Sequence, residues 1–222
     1  MWWGLYMPVY LIMYFTVEHV VTDNYWATQT AIDNYIPFCE YFVIPYNSWS
    51  ILLFVLGVFF IVKDPESFRR YMWFIAIAYT TATLFCFLVP IGQDLRPAVL
   101  PRHNICTWLL QMTGAADNYS NVFPSVHVLG VVAAIAAMWH SPKLKRIWQI
   151  LGTVWFVIIA ASTLLVNQHA FIDLAARFVW GGVVYIIVYV IIGHKRDKRG
   201  LRCGADSPER EADYDHSPNA GI

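Results

Sequence analysis

The chain has 222 residues and a formal net charge of zero at pH 7, and 58% of its residues are hydrophobic while only 14% are charged. In soluble domains about a quarter of all residues are usually charged, so this composition excludes an ordinary soluble domain. Several apolar runs approach the roughly 20 residues that cross about 30 Å of hydrocarbon. The composition therefore predicts an all-α, polytopic membrane protein and gives no indication of a nucleic-acid partner.

Apolar stretches in chain order predict a bundle of six transmembrane helices, at approximately residues 2–20, 45–62, 71–90, 126–140, 147–166 and 170–192. The first stretch lacks the basic region and the small-residue cleavage site of a signal peptide. The fourth is short, so we expect protein or thinned membrane around it. We divide the chain into a first helix with an outer loop (1–44), a transmembrane core (45–192) and a basic segment with a disordered tail (193–222).

Basic residues are concentrated on one side of the predicted bundle. Segments 63–70, 143–146 and 195–210 hold twelve of the fifteen Lys and Arg residues. Basic loops stay in the cytoplasm, so these segments and the C-terminus are predicted to be cytoplasmic. An even number of spans places the N-terminus there as well. The loops between spans 3 and 4 and between spans 5 and 6 are then extracytoplasmic.

The four cysteines, at positions 39, 86, 106 and 203, show no CxxC spacing. Cys39 and Cys106 both lie on the predicted outer side. Whether they form a disulfide stays open at this point, because spacing alone does not determine pairing.

Three polar clusters fall on the predicted outer side: PIGQDLRP at 90–97, NVFPSVH at 121–127 and STLLVNQHAFID at 162–173. Each has an ordinary structural explanation, since a histidine at a helix start is commonly interfacial and a serine in a span usually bonds its own backbone. Their shared membrane face nevertheless predicts one functional site.

The residue types in these clusters suit phosphoryl transfer without a metal. Ser125 lies near a predicted helix start, where backbone N–H groups favour an anion, and His127 follows in the first turn. Asp173 lies one turn after His169, where it can orient the imidazole and leave one nitrogen to attack. Arg96 can hold two phosphate oxygens at once.

The chain resembles the type 2 phosphatidic acid phosphatase superfamily of membrane lipid phosphatases and phosphotransferases, whose motifs are K-x6-RP, PSGH and SR-x5-H-x3-D. Arg96-Pro97 matches the end of the first motif, and Pro124–His127 matches the second with Val in place of Gly. Ser162, His169 and Asp173 match the third at the expected spacing. The resemblance covers about residues 45–192, which makes this core phosphatase-like.

The resemblance implies a reaction that needs no cofactor or metal. His169 would be the nucleophile that forms a phosphohistidine, Asp173 would orient it, and His127 would protonate the leaving alcohol. The phosphate of a membrane lipid would be held by Arg96, Ser125 and Ser162. Hydrolysis is the expected outcome. The resemblance does not identify the lipid or the oligomeric state.

Two cations of the family pattern are absent, because its first-motif Lys falls at Val89 and its third-motif Arg falls at Thr163. We expect Arg102 or Arg177 to replace them as phosphate ligands. Arg177 lies inside a span and should face the bundle interior, where it either pairs with Asp173 or supplies the missing charge.

Four other interpretations compete with a lipid phosphatase. FPSVH with ST-x5-H resembles the branch of fungal inositol phosphorylceramide synthase and its bacterial relatives, which predicts transfer of a head group between lipids. A catalytically silent lipid-binding or scaffold relative also fits the missing cations. A metal site of His127, His169 and Asp173 is a further alternative, but it has no fourth ligand at a clear spacing. A transporter would place ionisable residues near the bilayer midplane, whereas the polar clusters here share one membrane face.

Overall fold

The computed structural model describes residues 5–20, 26–89, 91–92, 95, 97, 100, 102–116 and 126–193, without the side chains of 18–20 and 115–116. The described chain is mostly helical. Its α-helices are α1 (Tyr6–Val20), α2 (Val43–Lys63), α3 (Pro65–Leu88), α4 (Ile105–Ala116), α5 (Val126–His140), α6 (Arg146–Leu165) and α7 (Phe171–Tyr185). Short 3₁₀ turns cover Asp33–Tyr35 and Glu40–Phe42, and the two-residue strands are β1 (Trp26–Ala27) and β2 (Ile91–Gly92).

These helices and strands belong to one compact unit, Met1–Tyr185. A second unit, Ile186–Ile222, begins with a π-helix over Ile186–Ile192. Residues 194–222 of the predicted cytoplasmic segment, 193–222, lie outside the described residues.

Four helices in the described chain are long and apolar enough to cross a membrane, at Glu40–Lys63, Pro65–Leu88, Arg146–Leu165 and Phe171–Ile192. This agrees with a membrane-embedded helical protein. The apolar helices Tyr6–Val17 and Val126–His140 are shorter, so the expected six spans are not confirmed. The 15 residues of α5 rise about 22 Å, which is less than the roughly 30 Å of a hydrocarbon core.

Helix α5 lies at the centre of the first unit and packs against α2, α3, α6 and α7. Nearly all of its side chains between Val128 and Met138 are buried, and many are Ala or Gly. A Cβ atom on Gly130 would lie 2.7 Å from Tyr79 Oη and 2.8 Å from Trp49 Nε1, so only glycine permits this approach. Because protein surrounds α5, it does not need the length of a lipid-facing span.

Helix α4 lies within the segment that the sequence analysis treated as an outer loop. Its start is a reciprocal cap, in which Asn104 Oδ1 accepts from the Thr107 N–H and Thr107 Oγ1 accepts from the Asn104 N–H, both at 2.9 Å. Cys106 and Leu110 of this helix are buried against Tyr46 of α2.

The disulfide that the sequence left open is absent. Cys39 and Cys106 are both free thiols in the described chain.

Asp64 ties two connections together at the other end of the bundle. It caps α3 by accepting from the Ser67 N–H at 3.1 Å, and Pro65 follows at the first helical position. Its other oxygen accepts from Ser141 Oγ at 2.6 Å, in the connection between α5 and α6. Burial alone would raise the pKa of Asp64, but these hydrogen bonds and the charge of Lys143 hold the pKa below its ordinary value of 3.8.

We predict that Asp64→Asn lowers the free energy of unfolding by about 1–2 kcal/mol near neutral pH, because the ionised acceptor of Ser141 is lost. The pKa is depressed in the folded state, so the ion stabilises the fold above pH 3.8 and this contribution disappears as pH falls through the folded-state pKa. Thermal unfolding in detergent should therefore show the wild-type advantage over Asp64→Asn vanishing in acid.

The neighbouring carboxyl of Glu66 provides the control, since it is half exposed and pairs with the partly exposed Arg69 and Arg70. Glu66→Gln should change stability by less than about 1 kcal/mol. A difference between wild type and Asp64→Asn that persists in acid would contradict the assignment.

Candidate active site

The corner between α6 and α7 is a Schellman motif. Helix α6 ends at Leu165, and Asn167 has a positive φ of 54°. The Asn167 N–H donates to Leu164 O at 2.9 Å, and the Gln168 N–H donates to Thr163 O at 3.1 Å. Asparagine tolerates this left-handed conformation, in which glycine is usual. The motif reverses the chain direction and places His169, which follows Gln168, just before α7.

The first turn of α7 is capped by two carboxylates. Ala170 precedes the helix and has no side-chain oxygen to serve as a cap. Asp33, from the segment before α2, accepts from the Phe171 N–H at 2.7 Å instead. Asp173 reaches back to accept from the Ala170 N–H at 3.3 Å, as the acidic residue of a capping box does. The N–H groups at the start of α7, which could otherwise donate to a bound anion, therefore donate to carboxylates of the protein itself.

The structure brings together the two histidines that the sequence selected. The ring centroids of His127 on α5 and His169 are 6.0 Å apart. Two aromatic rings of α2 contact His127: Tyr46 stacks on it at 4.5 Å, and Trp49 lies 4.3 Å away at a tilt of 37°. His169 is only 4% exposed. The His127 ring therefore contacts two aromatic side chains of α2 and lies next to the His169 ring.

Asp173 and Arg177 form a buried ion pair, which is one of the two roles that the sequence left open for Arg177. Both side chains are fully buried, and Arg177 Nη2 lies 4.0 Å from Asp173 Oδ2. The same oxygen accepts from Thr28 Oγ1 at 3.1 Å. Within the described part of the chain, Asp173 Oδ1 makes no hydrogen bond. The hydrogen bond from His169 to Asp173 stays a prediction.

Ser162 and Arg102, both predicted phosphate ligands, have other contacts. Ser162 is buried and donates its hydroxyl to Ile159 O of its own helix at 2.6 Å, so its proton is not directed at a ligand. The Arg102 side chain is 64% exposed and pairs with Glu40 at 3.1 Å. Arg96 and Ser125 lie outside the described residues.

Sequence reasoning missed four residues that touch the site. Tyr46 and Trp49 are spaced three apart on α2, and this spacing alone does not separate them from other apolar helix positions. Thr28 and Asp33 precede the motif region and carry no motif. A hydroxyl or carboxylate in a connecting segment gives no sequence indication of which distant helix it will contact.

Comparisons of the chain with protein-family models, with curated proteins and with solved structures found no match. The described residues contain no group of three or more His, Cys, Asp or Glu side chains placed to hold a metal ion. The side chains of the site are therefore the basis for its proposed chemistry.

We predict that Arg177→Met lowers the free energy of unfolding by about 3–5 kcal/mol, because it leaves the fully buried Asp173 carboxylate without a counterion. Adding Asp173→Asn should recover part of this loss, since the uncompensated charge is removed. Thermal unfolding of the wild type, both single variants and the double variant measures the coupling.

The matched control is Arg70→Met, which breaks an i,i+4 pair with Glu66 whose side chains are 25% and 47% exposed. This loss should stay under about 1 kcal/mol. Equal losses for the two arginines, or strictly additive effects at 173 and 177, would show that the buried pair is not coupled.

Proposed function

We propose that this chain is a membrane enzyme that hydrolyses a lipid phosphate through a phosphohistidine at His169. The facing imidazoles of His127 and His169, 6.0 Å apart between centroids, carry the proposal. His127 lies on α5 and His169 lies in the corner before α7, so the two rings approach one another from separate elements. A nucleophile on one side of phosphorus and a proton donor on the other are the two groups that the reaction needs. The motif resemblance to the type 2 phosphatidic acid phosphatases assigns the same roles.

The proposed reaction has two steps. A ring nitrogen of His169 attacks phosphorus and forms a P–N bond, while the P–O bond to the lipid breaks. The electron pair leaves with the lipid oxygen, which takes a proton from His127. Water then attacks phosphorus and gives a proton back to His127, the P–N bond breaks, and inorganic phosphate leaves. If the hydroxyl of a second lipid replaces water, the same steps give a phosphotransferase.

Buried positive charge beside the site supports binding of a phosphate. Arg177 is fully buried, and its guanidinium lies 4.0 Å from Asp173 Oδ2. Arg96, which the resemblance assigns to the phosphate, would add a bidentate donor. In this proposal Arg177 compensates Asp173 in the resting protein and contributes to the field that attracts the anion. Arg102, paired with Glu40, is a weaker candidate for that role.

The surroundings of the site suit an amphiphilic substrate. Helices α2 and α6 carry exposed apolar residues along their length, which fits contact with lipid tails. The segment that caps α7 exposes Trp26, Tyr35 and Tyr41, and aromatic residues of this kind are enriched where membrane meets water. A headgroup at the interface and tails between helices would place a lipid phosphate beside the histidines. The basic-loop asymmetry of the sequence favours the extracytoplasmic side for this site.

We predict that His169→Ala abolishes phosphate release, because no other group forms the covalent intermediate. Asp173→Asn should lower the rate by about two to four orders of magnitude, as loss of an orienting carboxylate does. The assay measures inorganic phosphate from a panel of lipid phosphates in detergent with a chelator present. The exposed His103→Ala is the matched control and should keep wild-type activity.

Activity of His169→Ala at the wild-type level would overturn the mechanism. No turnover by the wild type, with or without an acceptor lipid, would favour the silent relative. The hydroxyl of Ser162, bonded to its own helix, gives that alternative its structural support.

We predict that His127→Ala slows hydrolysis of an alkyl lipid phosphate by about 10²–10⁴-fold, because the leaving alkoxide needs a proton. An activated aryl phosphate has a good leaving group, so its first step should be much less affected. Pre-steady-state release of the aryl alcohol isolates that step. Equal losses for the two substrates would mean that His127 has a structural role beside Tyr46 and Trp49.

A further inference from the structure

Residues 26–39, which we call the strap, lie before the region that resembles the phosphatase family. Backbone hydrogen bonds attach the strap to other segments at both of its ends. Strand β1 pairs with β2 in parallel, with Trp26 opposite Ile91 and Ala27 opposite Gly92. At the other end the Cys39 N–H donates to Leu165 O, at the end of α6, at 2.8 Å. The strap therefore connects the segment after α3 to the corner that carries His169.

The middle of the strap is ordered by Asp33. Its Oδ2 accepts from both the N–H and the hydroxyl of Thr30, each at 2.7 Å. Its Oδ1 accepts from the Phe171 N–H at 2.7 Å. One carboxylate thus closes a turn of the strap and caps α7, which fixes the strap relative to the first turn of that helix.

Thr28 is the strap residue that touches the candidate catalytic groups. Its N–H donates to Gly92 O at 3.1 Å, which fixes its backbone. Its hydroxyl lies 3.1 Å from Asp173 Oδ2 and 3.3 Å from Gly92 O. The single hydroxyl proton favours the shorter contact to the ionised acceptor, because charge-assisted hydrogen bonds are the stronger kind.

Three groups converge on Oδ2 of Asp173: the Thr28 hydroxyl, the Ala170 N–H and the Arg177 guanidinium. Contacts from the strap, the helix N-terminus and the next turn restrain this oxygen from different directions. A carboxylate is planar, so fixing one oxygen restricts where the other points. Oδ1 makes no hydrogen bond within the described chain and is the acceptor that remains.

We propose that Thr28 is a positioning residue for Asp173, and that it holds the carboxylate so that Oδ1 accepts from the His169 imidazole when substrate binds. The inference rests on the proposed function of His169. Hydrogen bonds in an empty active site are commonly longer than in the reacting complex, so an open Oδ1 agrees with this role. Thr28 then acts on the candidate catalytic carboxylate, although it precedes the motif region.

The experiment separates the hydroxyl of Thr28 from its shape and from the attachment of the strap. Thr28→Val keeps the shape and removes the hydroxyl, whereas Thr28→Ser keeps the hydroxyl. Thr30→Val is the matched control, because Thr30 bonds Asp33 in the same strap without touching Asp173. kcat and KM are measured on a lipid phosphate that the wild type hydrolyses. Thermal unfolding is measured for Thr28→Val, Asp173→Asn and the double variant.

We predict that Thr28→Val lowers kcat about tenfold with KM changed by less than about twofold, since the lost contact acts on the chemical step. Thr28→Ser should recover most of kcat, and Thr30→Val should keep it. The unfolding shifts of Thr28→Val and Asp173→Asn should be less than additive, because both variants remove the same contact. Wild-type kcat in Thr28→Val, or a serine variant as slow as the valine variant, would overturn the proposal.

The unfolding measurements do not depend on activity and separate the two proposals. If the wild type releases no phosphate, the proposed function fails, and the positioning role for His169 fails with it. Additive unfolding shifts in an active enzyme would overturn the contact between Thr28 and Asp173 and leave the proposed function intact.

Discussion

The buried carboxylate of Asp173 constrains the geometry of the whole site. A charge with no exposed surface is costly unless it is paired and hydrogen-bonded. Here the compensation comes from three places: the strap, the backbone at the start of α7 and Arg177 one turn further on. Each of these must be in place for the carboxylate to be tolerated. Charge compensation therefore fixes the strap, the α6–α7 corner and His169 relative to one another.

The opposite side of the site is fixed by close packing. Gly130 lies three residues after His127 on α5, and its missing side chain leaves room for Trp49 Nε1 and Tyr79 Oη. Trp49 can then approach α5 closely enough to contact the His127 ring. A larger residue at 130 would push away the indole that holds the histidine. The packing of the central helix and the placement of the proposed acid are thus a single constraint.

The sequence predicted what is local and could not predict what is distant. The spacing of Asp173 and Arg177 allowed an ion pair between them, and the long apolar runs predicted the four membrane-length helices. Helix α4 was not predicted, because it lies in a segment that the sequence pattern assigned to an outer loop. The contacts of Thr28 and Asp33 with α7 span 145 and 138 residues, and no periodicity in a single chain encodes such pairs. The shortness of α5 predicted protein or thinned membrane around it, and in the structure it packs against α2, α3, α6 and α7.

The charges imply a division of labour between the two helices that meet at the site. Asp173 and Arg177 together are neutral, and Asp33 adds a negative charge at the start of α7. Both carboxylates take backbone N–H groups there, so this helix start is a poor place for a dianionic phosphate. In the proposed reaction the α6–α7 corner supplies the nucleophile His169, and α7 supplies Asp173. The motif resemblance assigns the phosphate to Arg96 and Ser125, which lie outside the described residues. Pairing of Asp173 with Arg177 then limits the repulsion between that carboxylate and the phosphate that His169 would attack.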